Sequence, residues 1–168
     1  LLERGTDYTP EEMAGEIVFD NVNFRYRPDY GRVLKEISFA VPAGSTVGIT
    51  GPTGSGKSTL TQLLPRFYDV TSGTVLIDHV NVTDWPLDNL RNQIAFVPQK
   101  SMLLRGTILE NLQWGNTEAS DDDCWEALTI VQGAEFVRQL LQQLATLIVK
   151  GCKTFSGGPV QRLAIAWA

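Results

Sequence analysis

The chain holds one histidine and two cysteines, and each shortage removes a class of chemistry. His79 stands alone in the polar run Asp78-His79-Val80-Asn81 and reads as a surface residue rather than a ligand. Cys124 and Cys152 lie far apart with no C-x-x-C spacing, which argues against a zinc site or a disulfide framework and points to a reducing compartment. No apolar run approaches the ~20 residues of a membrane-spanning helix, and Leu1–Gly5 opens no signal-peptide core. A membrane role is therefore expected to come from a partner or from further chain. There is no basic block, and the net charge of -5 argues against a nucleic-acid surface, so no nucleic-acid partner is expected. Repeats and low-complexity tracts are missing too. What remains is 168 residues with 43% hydrophobic content, enough for one globular domain.

Against that background one stretch stands out: Gly51-Pro52-Thr53-Gly54-Ser55-Gly56-Lys57-Ser58-Thr59. It fits G-x-x-x-x-G-K-[ST], the phosphate-binding loop. Glycines let the backbone turn back and aim successive N–H groups at one anion, and the helix that follows offers its positive end to the same phosphates. In this pattern Lys57 supplies charge to the β- and γ-phosphates and Ser58 a hydroxyl to Mg²⁺. The flanks agree: Ser45–Thr50 reads as a short buried strand entering the loop, and Ser58–Leu64 as a helix leaving it, ending near Pro65.

Along the chain, residues 1–15 are polar and read as a linker. Ile17, Phe19, Val22 and Phe24 fall mostly on alternate positions, as in a strand with one buried face, and Val33–Val41 and Thr74–Ile77 read as further strands. Leu87–Gln93 suggests a helical turn or two, and Ile94–Val97 a short apolar strand stopped by Pro98. Helices are predicted over Thr107–Leu112, Asp121–Gln132 and Ala134–Leu144, with Asp121-Asp122-Asp123 placed where a helix dipole favours negative charge. Strands alternating with helices imply a largely parallel sheet.

Three segments extend the phosphate loop to a family: Phe24-Arg25-Tyr26-Arg27 before it, Val97-Pro98-Gln99 after it, and Phe155-Ser156-Gly157-Gly158-Pro159-Val160-Gln161-Arg162 near the end. In this order the chain resembles the nucleotide-binding domain of an ABC transporter from about Glu16 to Ala168, and Arg105–Leu112 is similar to the segment of exporter-type members. The resemblance implies an α/β fold: a P-loop NTPase (RecA-like) core with an N-terminal antiparallel β subdomain and an α-helical subdomain. The core would span 16–99, and the helical subdomain with its signature 100–168. It also implies ATP and Mg²⁺ as ligands. Tyr26 would stack on adenine, and Gln99 would reach Mg²⁺ or the attacking water. Ser156, Gly157 and Gly158 would bind the γ-phosphate of ATP held by an opposite domain. A second nucleotide-binding domain, identical or related, and transmembrane domains follow as partners, the latter contacted around Lys100–Asn116, at the cytoplasmic face of a membrane.

Two departures qualify the match. Phe155 and Pro159 stand where the family's signature has leucine and glutamine, and Pro159 removes both an N–H and an amide beside phosphate territory, which is expected to weaken the trans contact. The family's Walker B strand, D-loop and switch histidine have no counterpart up to Ala168, so the chain is expected to be a fragment cut at both ends. It then holds no catalytic residue, since the general base is missing, and would bind nucleotide without turning it over; the full-length protein would be an ATPase. The alternatives are a degenerate regulatory subunit of a heterodimeric transporter and a soluble ABC protein. A P-loop kinase or GTPase fits worse, having neither the upstream tyrosine nor the Ser-Gly-Gly signature.

Overall fold

A computed structural model describes residues 13–99, 103–149 and 157–167. The linker expected over 1–15 lies outside the described residues except for Met13–Gly15. Ser156 of the signature and Lys100–Met102 of the expected partner surface also lie outside them. The chain divides into two compact units, Leu1–Ala95 and Phe96–Ala168.

The first unit is built on an antiparallel sheet in the order β2-β1-β3-β4, formed by β1 (Ile17–Phe24), β2 (Leu34–Val41), β3 (Ser72–Ile77) and β4 (Val80–Asn81). Its β1 explains the imperfect alternation in the sequence. Asn21 takes a left-handed φ of 48°, and the register against both neighbours shifts there, so Phe19 and Val22 both turn into the core. The bulge presses so close to β3 that a Cβ on Gly73 would lie 2.3 Å from the carbonyl oxygen of Asn21; only glycine fits. The carboxylate of Asp78, in the β3–β4 turn, accepts hydrogen bonds from the N–H groups of Gly15 and Glu16 and so ties down the start of β1. The buried face packs Phe19, Val22, Phe24 and Val75 against Leu63 of α1 (Lys57–Leu63) and against Trp85 and Leu90, the last on α2 (Leu87–Asn92).

The expected parallel sheet does not form among the described residues. Every described pairing is antiparallel, and neither Ser45–Thr50 nor Ile94–Val97 is a strand. A strand exists only in a ladder with a neighbour, and these two segments are placed without one. Val47 and Ile49 consequently stay 51% and 42% exposed instead of buried, and line an open apolar groove with Ile17, Phe39 and Leu64.

The second unit is helical around a two-stranded ladder, β5 (Gly106–Thr107) with β6 (Leu147–Ile148), neither of which the sequence suggested. Thr107 caps α3 (Ile108–Leu112) in a reciprocal capping box with Glu110. Ser120 and Asp123 repeat the device on α4 (Asp121–Ile130). The expected long helix from Ala134 ends early. α5 covers Ala134–Arg138 and gives way to turns and a 3-10 segment, Gln143–Ala145, whose first residue has a left-handed φ of 45°. α6 (Gly157–Ala166) seats Leu163 with Ile108, Leu112, Leu128 and Val137 in a separate core. Among the described residues no helix is long and apolar enough to cross a membrane.

Candidate functional site: a phosphate loop with an aromatic wall

Gly51–Thr59 forms a tight loop running directly into α1. Gly56 caps that helix in the left-handed region at φ 90°, and a Cβ there would sit 2.8 Å from Cδ2 of Leu34 and 3.3 Å from the carbonyl oxygen of Val33. Both backbone angle and space therefore demand glycine at this position. The loop closes on itself: the Ser55 N–H donates to the Pro52 carbonyl at 3.2 Å. Across it folds Lys57, whose Nζ donates to the carbonyl oxygens of Gly51 at 2.7 Å and Pro52 at 2.8 Å. The ammonium is thus held inside the ring by weakly basic partners that an anion would outcompete.

The hydroxyl-bearing residues that follow are put to different uses. Ser58 is exposed at the second residue of α1. Thr61 spends its hydroxyl on the Ser58 carbonyl at 3.0 Å. Thr59 is only 5% exposed and shares a 2.8 Å hydrogen bond with the phenol of Tyr26. Tyr26 itself is 46% exposed and stands edge-on to two further rings, Phe24 at 4.9 Å and 84° and Tyr68 at 5.1 Å and 87°. The expected platform and the phosphate loop are therefore adjacent. Tyr68 had not been singled out from the sequence; its signal was the aromatic pair Phe67-Tyr68 just past the end of α1.

Gln99, Gly157 and Gly158 belong to the second unit. Gln99 is exposed in a bend, and Gly157 and Gly158 open α6. Pro159 falls at the third residue of α6, within the turn whose N–H groups have no helical partner. In the same unit Arg162 donates to the Gln132 carbonyl at 2.8 Å, tying α6 to the end of α4. Cys124 is buried in α4, and its thiol is pushed up by burial and by the charges of Asp121 and Asp123, which disfavours the thiolate.

Among the described residues no group of three His, Cys, Asp or Glu side chains could hold a metal ion. The exposed Ser58 hydroxyl beside the phosphate loop suits an ion that takes one or two protein oxygens and keeps its remaining positions for water and nucleotide phosphates. Magnesium binds in that way, so the donors present fit it.

Loop, lysine and helix start define a P-loop nucleoside-triphosphatase fold. The comparisons narrow the class. Residues 34–168 match the family described as ABC transporter, and the chain belongs to that family. It is 42% identical over 154 residues to the mitochondrial iron-sulfur clusters transporter ATM1 of Candida albicans, covering 92% of this chain and 20% of that protein. It is 39% identical over 166 residues to a putative multidrug export ATP-binding/permease protein of Staphylococcus aureus, covering 98% of this chain and 29% of that one. A bacterial Atm1-family ABC exporter solved with ATP bound superimposes with a TM-score of 0.91 at 36% identity, over 99% of this chain and 29% of its own. The chain thus spans less than a third of the length of these relatives.

Proposed function

We propose that this chain is the ATP-binding part of an ABC exporter, which couples ATP binding and hydrolysis to the outward movement of a substrate across a membrane. The observation that carries the reading is the ammonium of Lys57 held on the carbonyls of Gly51 and Pro52, with Tyr26 hydrogen-bonded to the helix that leaves the loop. In this reading Gly51, Pro52, Thr53, Gly54, Ser55 and Gly56 wrap the phosphates, Lys57 neutralises them, and Ser58 and Gln99 hold Mg²⁺. Magnesium supplies charge neutralisation on the phosphate oxygens. Phosphoryl transfer needs positioning and neutralised charge more than covalent help, which is what such a loop offers. The lysine exchanges two neutral acceptors for charged ones, a change that favours binding.

Ser156, Gly157 and Gly158 then face the nucleotide of a second nucleotide-binding domain, and transmembrane domains complete the assembly at the cytoplasmic face of the membrane. The relatives named for export support this direction of transport.

The test is photolabelling of the full-length protein in native membranes with 8-azido-ATP, together with its ATPase rate. Lys57→Ala is expected to remove both. Labelling and turnover that survive the substitution would overturn the proposal.

A further inference from the structure

We propose that Thr59 is a positioning residue for Tyr26: its hydroxyl pins the phenol so that the ring lies at a fixed place relative to the phosphate loop. This rests on the nucleotide-binding reading above and adds to it how base and triphosphate are read together.

The geometry has three parts. Thr59 lies two residues after Lys57, on the first turn of α1, so it moves with the loop. A β-branched threonine in a helix keeps two favoured side-chain rotamers, and this one is 5% exposed, with its hydroxyl on the Tyr26 phenol. Its hydroxyl meets that of Tyr26 at 2.8 Å, either one donating. Phe24 and Tyr68 meanwhile stand at 84° and 87° to the Tyr26 ring, which restricts its rotation about the bond to the phenol. Packing sets the plane of the ring, and the hydrogen bond sets its distance from α1. Ser58 remains exposed and Thr61 is occupied by the helix itself, so each of the three hydroxyls has a separate task.

A ring pinned in this way helps only a ligand that carries a flat base and a phosphate chain at the same time. Free tripolyphosphate touches the loop and gains nothing from Tyr26. Loss of the pin should therefore fall on ATP more than on tripolyphosphate.

The experiment measures the affinities of Mg-ATP and Mg-tripolyphosphate for the full-length protein and for Thr59→Val, Thr59→Ser, Tyr26→Phe and the Thr59→Val/Tyr26→Phe pair. Each single loss of the hydrogen bond is expected to weaken ATP by about two- to tenfold, the worth of one such bond, and to lower the ratio of ATP to tripolyphosphate affinity. The double variant should be no weaker than the worse single one, and Thr59→Ser should recover most of the loss. Additive losses, or equal losses on both ligands, overturn the inference and leave the nucleotide reading standing. ATP binding that survives Lys57→Ala overturns both. If Thr59→Val does not fold, Tyr26→Phe decides alone: it keeps the ring and lacks only the hydroxyl, and an unchanged ligand ratio sinks the proposal.

Discussion

The side chain of Asn111 closes on both backbone groups of Leu104: its Oδ1 accepts from the Leu104 N–H at 2.7 Å, and its Nδ2 donates to the Leu104 carbonyl at 3.0 Å. A third bond runs from Nδ2 to the Thr107 carbonyl at 2.8 Å, and the residue is 3% exposed. The segment that leads into α3 is therefore held by a side chain on the helix it enters. Truncation to Asn111→Ala leaves part-buried peptide groups of Leu104 and Thr107 without these partners. We expect a cost of about 2–4 kcal/mol, since each buried polar group left unmade costs about 1–3 kcal/mol. Chemical denaturation of native and variant protein measures it; a loss below about 0.5 kcal/mol would mean that water replaces the clasp.

Gly56 and Gly54 separate two causes that are usually confounded. Both have left-handed backbones, at φ 90° and 84°. A Cβ on Gly54 meets nothing within 4 Å, whereas one on Gly56 meets Leu34 at 2.8 Å and the Val33 carbonyl at 3.3 Å. Gly54→Ala is expected to cost only the backbone strain, about 1–2 kcal/mol. Gly56→Ala adds displacement of β2 at Leu34 and should cost more, with a larger drop in ATP affinity. Equal thermal shifts in the two variants would contradict the steric account.

The phosphate loop was legible because its information is local: the glycine spacing and Lys57 dictate a backbone path within nine residues. The caps of α3 and α4 are local in the same way, each formed by residues three apart. Nonlocal features were read less well. The bulge at Asn21 depends on pairing with two strands at once, and the single out-of-phase step from Phe19 to Val22 hinted at it without locating it. Ser45–Thr50 has strand composition, yet composition cannot supply a neighbour to pair with. α5 ends at Arg138, and the left-handed backbone that brackets it, at Gln132 before and Gln143 after, falls on residues with no special turn preference. Tyr26 was placed by its position in a family pattern; its bond to Thr59 joins residues 33 apart, and no periodicity announces it.

Asp123 gives a pH dependence of defined sign. Its carboxyl is held below the ordinary aspartate value first by the Ser120 hydroxyl and next by the Ser120 N–H. A depressed folded value contributes stability that is present above the unfolded pKa of about 3.9 and is lost as pH falls through the folded value. At neutral pH, Asp123→Ala should therefore lower hydrogen-exchange protection in the first turn of α4. The difference between native and variant should shrink as pH falls below about 4. A difference that is constant from neutral to acid pH would show that the carboxylate charge plays no part in the cap.

Pro159 sits at the third residue of α6, directly after Gly158. The start of such a helix turns its free N–H groups outward, and in a paired assembly they would face the phosphates of the other domain's nucleotide. Proline fits the turn because that N–H has no helical partner, but it brings no donor of its own. Pro159→Gln restores one backbone N–H and adds a side-chain amide without disturbing the seat of Leu163, about one turn from the change and buried in the helical core. In the transporter assembly proposed above the substitution is expected to raise the ATPase rate, by about ten- to a hundredfold for one recovered hydrogen bond to a charged group. The rate is to be read at saturating ATP, so that a change in the trans contact is separated from a change in first binding. An unchanged rate would mean that the signature of this chain already makes its full contact, or that its partner's site alone sets turnover; ATP-dependent cross-linking across the pair distinguishes the two.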